Sequence, residues 1–249
     1  MMRRTSPKKD TGGALTDDVV ARLKKLGSKS VRDGMLRYGI PNKNAFGVSV
    51  GKIQKLSKEL GHNHELALAL WETGFYEARM LAAFVDDPKL VTPAQMDRWC
   101  KDFDNWGIVD TVCFKLFDVT PHAWKKVEQW SKRRDEFQRR AAYALLACLG
   151  VHDKQATNEK FIACFPLIEA AATDERNFVK KGVSWALRVI GRRNLELNNA
   201  ATELAQRLAD SLDPTSRWLG KEALREFKRP VVRRQLENKL KKKMKSEAA

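Results

Sequence analysis

Apolar residues recur at helical spacing along almost the whole chain. Ile53, Leu56 and Leu60 line one side of a segment that Ser49 can cap and Gly61 stops. Tyr76, Met80, Leu81 and Phe84 do the same between Phe75 and Val85, ahead of the break at Asp86-Asp87-Pro88. Thr92-Pro93 and Thr120-Pro121 each place a proline where a helix can begin, predicting helices to about Cys100 and Ser131. Leu15–Leu26, Val31–Tyr38 and His64–Thr73 read as earlier helices, with a loop from Gly39 to Gly47. From Glu136 to Leu149 the chain is nearly all Ala, Leu and Cys after Arg140, so this helix should be covered on several sides. Segments 158–172, 174–190, 194–212 and 214–227 continue the pattern, and Pro230 opens a last basic helix.

No segment reads as a β-strand. Helices of this length joined by short turns should lie antiparallel to their neighbours. Many such pairs in series predict an all-α protein, a right-handed α-solenoid of HEAT-like or ARM-type repeats. A compact all-α bundle is the alternative from pattern alone. The expected division is a disordered basic arm over 1–14, a solenoid over 15–230, and a basic C-terminal helix or tail over 231–249. No Gly/Ser or Pro linker separates further domains.

One stretch stands out. Asp104–Lys115 reads DNWGIVDTVCFK, with Asp104 or Asn105 placed to cap a helix. Trp106, Val109, Val112 and Cys113 give its apolar positions. Asp110 falls one turn after Trp106 on the same side. A carboxylate among such residues is costly unless it is paired or faces a cleft. Two readings stay open: a structural Asp bonded to an Arg or a helix end, and a working carboxylate.

Charge narrows the partner. The 249 residues carry a formal net charge of +16, with 43% hydrophobic and 31% charged residues. Such a surplus attracts polyanions, nucleic acid first and an anionic membrane surface second. Lys181, Trp185, Arg188 and Arg192 share one helical face, at offsets of four, seven and eleven. Arg and Lys there could meet a duplex backbone while the indole packs on a sugar or base. A solvated basic face with Trp185 tucked against a neighbour is the plainer reading. Arg139 and Arg140 head the buried helix. The run from Lys228 to Lys245 is a phosphate-binding arm or a solubilising tail.

Other chemistry is not signalled. Cys100, Cys113, Cys148 and Cys164 lie far apart in apolar contexts and read as buried free thiols, not zinc ligands. His62, His64, His122 and His152 stand near helix starts or turns, where surface or capping roles are usual. There is no Walker loop, GxGxxG or HExxH, and the GVSVG of residues 47–51 matches GxSxG by spacing alone, with no strand before it. With no apolar signal core and no span of membrane length, a cytoplasmic protein, in the bacterial cytosol or nucleoid, is expected.

Four stretches carry a resemblance: Leu70-Trp71-Glu72 with Glu77-Ala78-Arg79; Asn105 to Asp110; Trp130 followed by Phe137 to Ala142; and Phe178 to Arg188. Together they resemble the DNA alkylation repair family, the AlkD-like HEAT-repeat DNA glycosylases, over about residues 45–230. The resemblance implies a solenoid that wraps duplex DNA, mainly through its phosphates, and excises cationic N3- and N7-alkylpurines. It makes Asp110 the catalytic carboxylate and puts Trp106 and Trp185 against the lesion's sugar. Arg140 would hold a phosphate, with Arg139, Lys181, Arg188 and Arg192 as further DNA contacts. It implies a monofunctional glycosylase with no metal or organic cofactor, no membrane and no obligate protein partner. Gly107 departs from the acidic residue of the characterised glycosylases, and YALLACLGVHDK resembles a distinct branch. A noncatalytic binder of DNA or structured nucleic acid is therefore the alternative function, and a protein-interaction scaffold is the second.

Overall fold

The computed structural model describes residues 11–247. The basic arm expected over 1–14 lies outside the described residues up to Asp10, and Thr11 already opens the first helix. All regular elements among the described residues are helical, arranged as HEAT- or ARM-like helix repeats. They form two compact units, ending and beginning at Val91 and Thr92.

The first unit holds α1 (Thr11–Leu26), α2 (Lys29–Gly34), a 3-10 turn (Met35–Tyr38), α3 (Val50–Leu60), α4 (His64–Glu72) and α5 (Tyr76–Val85). The pair α4–α5 packs face to face, with α1 against α4 and α3 against α5. Val19, Leu23, Ile53, Leu70, Trp71 and Leu81 make its core. The loop before α3 is anchored from within. Glu77 on α5 is fully buried and accepts hydrogen bonds from the backbone N–H groups of Phe46, Gly47 and Val48 at 2.8, 2.6 and 3.1 Å. Gly47 has φ +81°, and a Cβ there would meet the Ser28 carbonyl oxygen at 2.2 Å, so the loop needs glycine for both reasons.

The second unit holds α6 (Pro93–Lys101), α7 (Trp106–Lys115), a 3-10 turn (Phe117–Val119), α8 (Ala123–Ser131), α9 (Glu136–His152), α10 (Asn158–Ile162), α11 (Phe165–Ala170), α12 (Asn177–Gly191), α13 (Leu195–Ala209), α14 (Pro214–Phe227) and α15 (Pro230–Glu247). Helix α9 is its centre, packed against α7, α8 and α12. Every residue from Arg140 to Gly150 is buried, as the Ala/Leu/Cys run predicts. Helices α13 and α14 touch at backbone level. A Cβ on Gly220 would lie 2.3 Å from the Ala209 nitrogen.

Several predicted boundaries move, among them Val31–Tyr38, which is α2 and a 3-10 turn, and three of the moves have a clear local reason. The helix expected from Thr120-Pro121 starts at Ala123 because Thr120 donates its hydroxyl back to the Phe117 carbonyl at 2.8 Å and closes the 3-10 turn instead. The segment 158–172 is two short helices, not one. Pro166 has no N–H to continue the first ladder, and it takes an early position in α11 instead. Helix α12 begins at Asn177 because Asp174 turns its carboxylate onto the N–H of Arg176.

Candidate functional site

Helix α7 starts where its cap dictates. The Asn105 side chain accepts the Ile108 N–H at 3.0 Å, which makes Trp106 the first helical residue and puts Asp110 one turn later. Gly107, Ile108 and Val109 are buried, while the Asp110 side chain keeps 23% of its surface. Helix α9 is capped in the same manner by Asp135, which accepts from Phe137 and Gln138 at 3.0 Å each and so fixes Arg140 in the second turn.

Arg140 joins three helices. Its Nε and Nη2 donate to Asp110 Oδ1 and Oδ2 at 3.0 and 2.7 Å, a bidentate fork. Its Nη1 donates to the Phe178 carbonyl of α12 at 2.7 Å. Gly182 lies against its stem, where an added Cβ would sit 3.5 Å from Arg140 Cγ. Glu136 accepts the Phe178 N–H at 3.0 Å, and the Phe137 and Phe178 rings lie 5.2 Å apart, so the start of α12 is held to the start of α9. Burial pushes the Asp110 carboxyl above the ordinary carboxylate range, and the Arg140 guanidinium pulls against that shift.

This geometry settles the local environment of Asp110: it is paired with an Arg. It also leaves the carboxylate one acceptor position free on each oxygen, because each Oδ takes a single N–H from Arg140. Arg140 itself is buried, with three of its five N–H groups directed at protein acceptors.

The other residues expected at the site are placed as follows. Trp106 and Trp185 are half-buried on α7 and α12. Lys181 is exposed. Arg188 folds back onto its own helix, donating to Ser184 O and Oγ at 3.2 Å each. Arg192 donates to Glu226 at 3.2 Å and Gln235 at 3.1 Å. Arg139 pairs with Asp174 at 3.0 Å, and Asp174 is also gripped by Arg176. Trp130 is fully buried and donates its indole N–H to Asp97 at 2.8 Å, so this indole is part of the core.

One contributor escaped sequence reasoning: the Phe178 carbonyl is a backbone group with no residue signature. The four cysteines are free and buried, and burial drives the Cys100 thiol to about 12 and the Cys164 thiol to about 11. His64 and His152 are bonded to Asp86 and Asp118 at 2.6 and 2.5 Å. Among the described residues no group of three or more His, Cys, Asp or Glu side chains is arranged to hold a metal ion. No described helix is long and apolar enough to cross a membrane.

Residues 19–227 match the family described as "DNA alkylation repair enzyme". A solved structure described as "a new family of proteins related to the HEAT-like repeat DNA glycosylases with affinity for branched DNA structures" superposes with a TM-score of 0.71 at 22% identity, over 84% of this chain and 94% of that one. A designed armadillo repeat protein in complex with the peptide (KR)4 reaches a TM-score of 0.34 at 15% identity, too low to bear on the fold. A comparison with curated proteins finds no match.

Proposed function

The chain belongs to the DNA alkylation repair enzyme family, and from that premise we propose that it is a monofunctional DNA glycosylase acting on cationic N3- and N7-alkylpurines in duplex DNA. The observation that carries this reading is the Asp110 carboxylate, oriented through both oxygens by Arg140 and following Trp106 by one turn. An alkylated purine is already cationic and a good leaving group, so no strong general acid is required. Positive charge develops on the deoxyribose as the glycosidic bond lengthens. A carboxylate fixed in advance stabilises that charge without reorganising. The free acceptor positions on Oδ1 and Oδ2 can orient the attacking water. Trp106 and Trp185 offer indole faces for cation–π attraction to the same sugar. Arg140 acts here as the positioning residue for Asp110. Its two remaining N–H groups are what it has for a phosphate. Arg139, Lys181, Arg188 and Arg192 are the proposed backbone contacts.

A second reading, noncatalytic binding of branched or otherwise structured DNA, is favoured by the same ion pair. A carboxylate neutralised by a bidentate Arg is a weaker electrostatic partner for a cation than a lone one. Release of modified purine from methylated duplex DNA decides between them, with wild type beside Asp110→Asn. Release by wild type alone supports the glycosylase. No release by folded wild type, with tight salt-sensitive DNA binding, rejects it in favour of the second reading.

A further inference from the structure

The far ends of α9 and α12 form a second basic site. From Arg140 to Gly150 the chain advances ten helical residues, about 15 Å along α9. There a cleft of about 450 Å³ opens among the C-terminal turns of α9 and α12 and one side of α15. Lys154, Arg192, Arg193 and Lys239 line it, together with Asn194 and Gln235, and no acidic residue does.

The cations are held in place by the protein. Lys239 donates to the Arg192 carbonyl at 2.7 Å. Arg193 donates to the Gly150 and Ala156 carbonyls at 3.0 and 3.2 Å and lies over the Phe161 ring at 4.4 Å. Lys154 donates to the Val151 carbonyl. Capping two helix ends explains part of this. Two C-termini supply roughly one negative charge together, Glu226 answers Arg192 from outside the cleft wall, and Asp153 acts on Arg193. Four cations still leave a surplus. Its effect is visible on Lys239, whose ammonium is held below the usual lysine range by burial and then by the charges of Lys154, Arg192 and Arg193. A preformed cationic cleft without a carboxylate suits a compact, strongly charged anion, and phosphate is the chemistry that Arg and Lys together recognise.

We infer that Lys154, Arg193 and Lys239, together with Arg192 already proposed as a backbone contact, form a further phosphate site that takes the backbone of a nucleic-acid strand at a distance from Asp110. The inference rests on the DNA-binding part of the function proposed above. Its contribution is affinity and register, with no part in bond cleavage.

The test titrates wild type and the double variant Lys154→Gln/Lys239→Gln with an undamaged duplex across salt concentrations, and both proteins with inorganic pyrophosphate. Lys154→Gln alone is run in parallel, because Lys154 is exposed and its loss leaves the contacts of α15 in place. Two lost contacts should lower the slope of log affinity against log salt by about 2 and weaken duplex binding by roughly tenfold at moderate salt, with about half the slope change for the single variant. Unchanged duplex affinity and slope in both folded variants overturn the strand-binding inference. Loss of pyrophosphate binding alone would then assign the cleft to a free phosphate compound instead. Wild type that binds neither probe overturns the site, and wild type that binds pyrophosphate but no duplex overturns the DNA reading above.

Discussion

Glu77 and Asp110 are both carboxylates on helices whose neighbouring residues are buried, and their surroundings satisfy them in different ways. Glu77 is wholly enclosed and takes its hydrogen bonds from three successive backbone N–H groups. Those donors belong to a loop without helix or strand, which the carboxylate holds together with backbone bonds from Ser28 to Gly47 and from Tyr76 to Asn44. Asp110 keeps 23% of its side-chain surface and takes its donors from one side chain, Arg140, which is itself tied to a third helix. Its free acceptor positions remain on offer. The donors distinguish the two acids: backbone N–H groups enclose Glu77, and a tethered cation beside open surface leaves Asp110 in a position compatible with the proposed role.

The sharpest way to break that comparison is Asp110→Asn. The amide oxygen still accepts one N–H of Arg140, its NH₂ faces the other, and the negative charge is lost. Single-turnover release of methylated purine should fall by about a hundredfold or more, with a melting temperature within a few degrees of wild type. A stability loss as large as the activity loss would make Asp110 a second Glu77. The converse substitution, Glu77→Gln, turns an NH₂ toward backbone donors that need an acceptor. It should cost about 2 kcal/mol in urea unfolding, while release at saturating protein stays at the wild-type rate. A rate defect without a stability defect would reverse the assignment of the two carboxylates. A smaller effect is expected of Arg140→Lys, which keeps a cation beside Asp110 and removes the fork. Release should drop about tenfold, the equivalent of one hydrogen bond, and an unchanged rate would separate Asp110 orientation from catalysis.

Much of this was legible in the sequence because it lives in local signals. The cap signal at Asp104 or Asn105 and the apolar spacing placed the start of α7 to within a residue, and the four-residue offset put Trp106 and Asp110 on one side. The Ala/Leu/Cys run predicted that α9 would be covered on several sides, as it is. What failed was punctuation at Thr120-Pro121 and Pro166, where a hydroxyl and a missing N–H chose 3-10 and two-helix solutions over longer α-helices. Long-range pairing was the other gap. The sequence offered an Arg or a helix end as partners for Asp110, but not Arg140 in particular, thirty residues away. Similarly, nothing local in the sequence around Trp130 names its partner. The structure buries its indole on Asp97, on which three side chains from α8 and the turn after it, 29 to 36 residues away, converge.

Asp97, more exposed than either and held by side chains alone, tests whether the distinction is one of degree. Its side chain is 36% exposed and receives Lys126, Trp130 and Arg133 at 2.6, 2.8 and 3.3 Å. Burial opposes its ionisation, but the hydrogen bonds from Lys126 and Trp130 and the charges of Lys126 and Arg133 outweigh this and hold the carboxyl below the ordinary range. A carboxyl depressed in the folded state contributes stability that is present above the unfolded value of about 3.9 and is lost as pH falls through the folded value. Asp97→Asn should therefore cost about 1 kcal/mol near neutral pH, a small figure because solvent screens a group so exposed. The gap to wild type should hold at about pH 5 and close below about pH 4. Urea unfolding of both proteins at those pH values measures it. A gap that stays constant into acid would mean that Asp97 acts by shape and neutral hydrogen bonding. Its charge would then be as incidental to the fold as that of Asp110 is proposed to be essential to the chemistry.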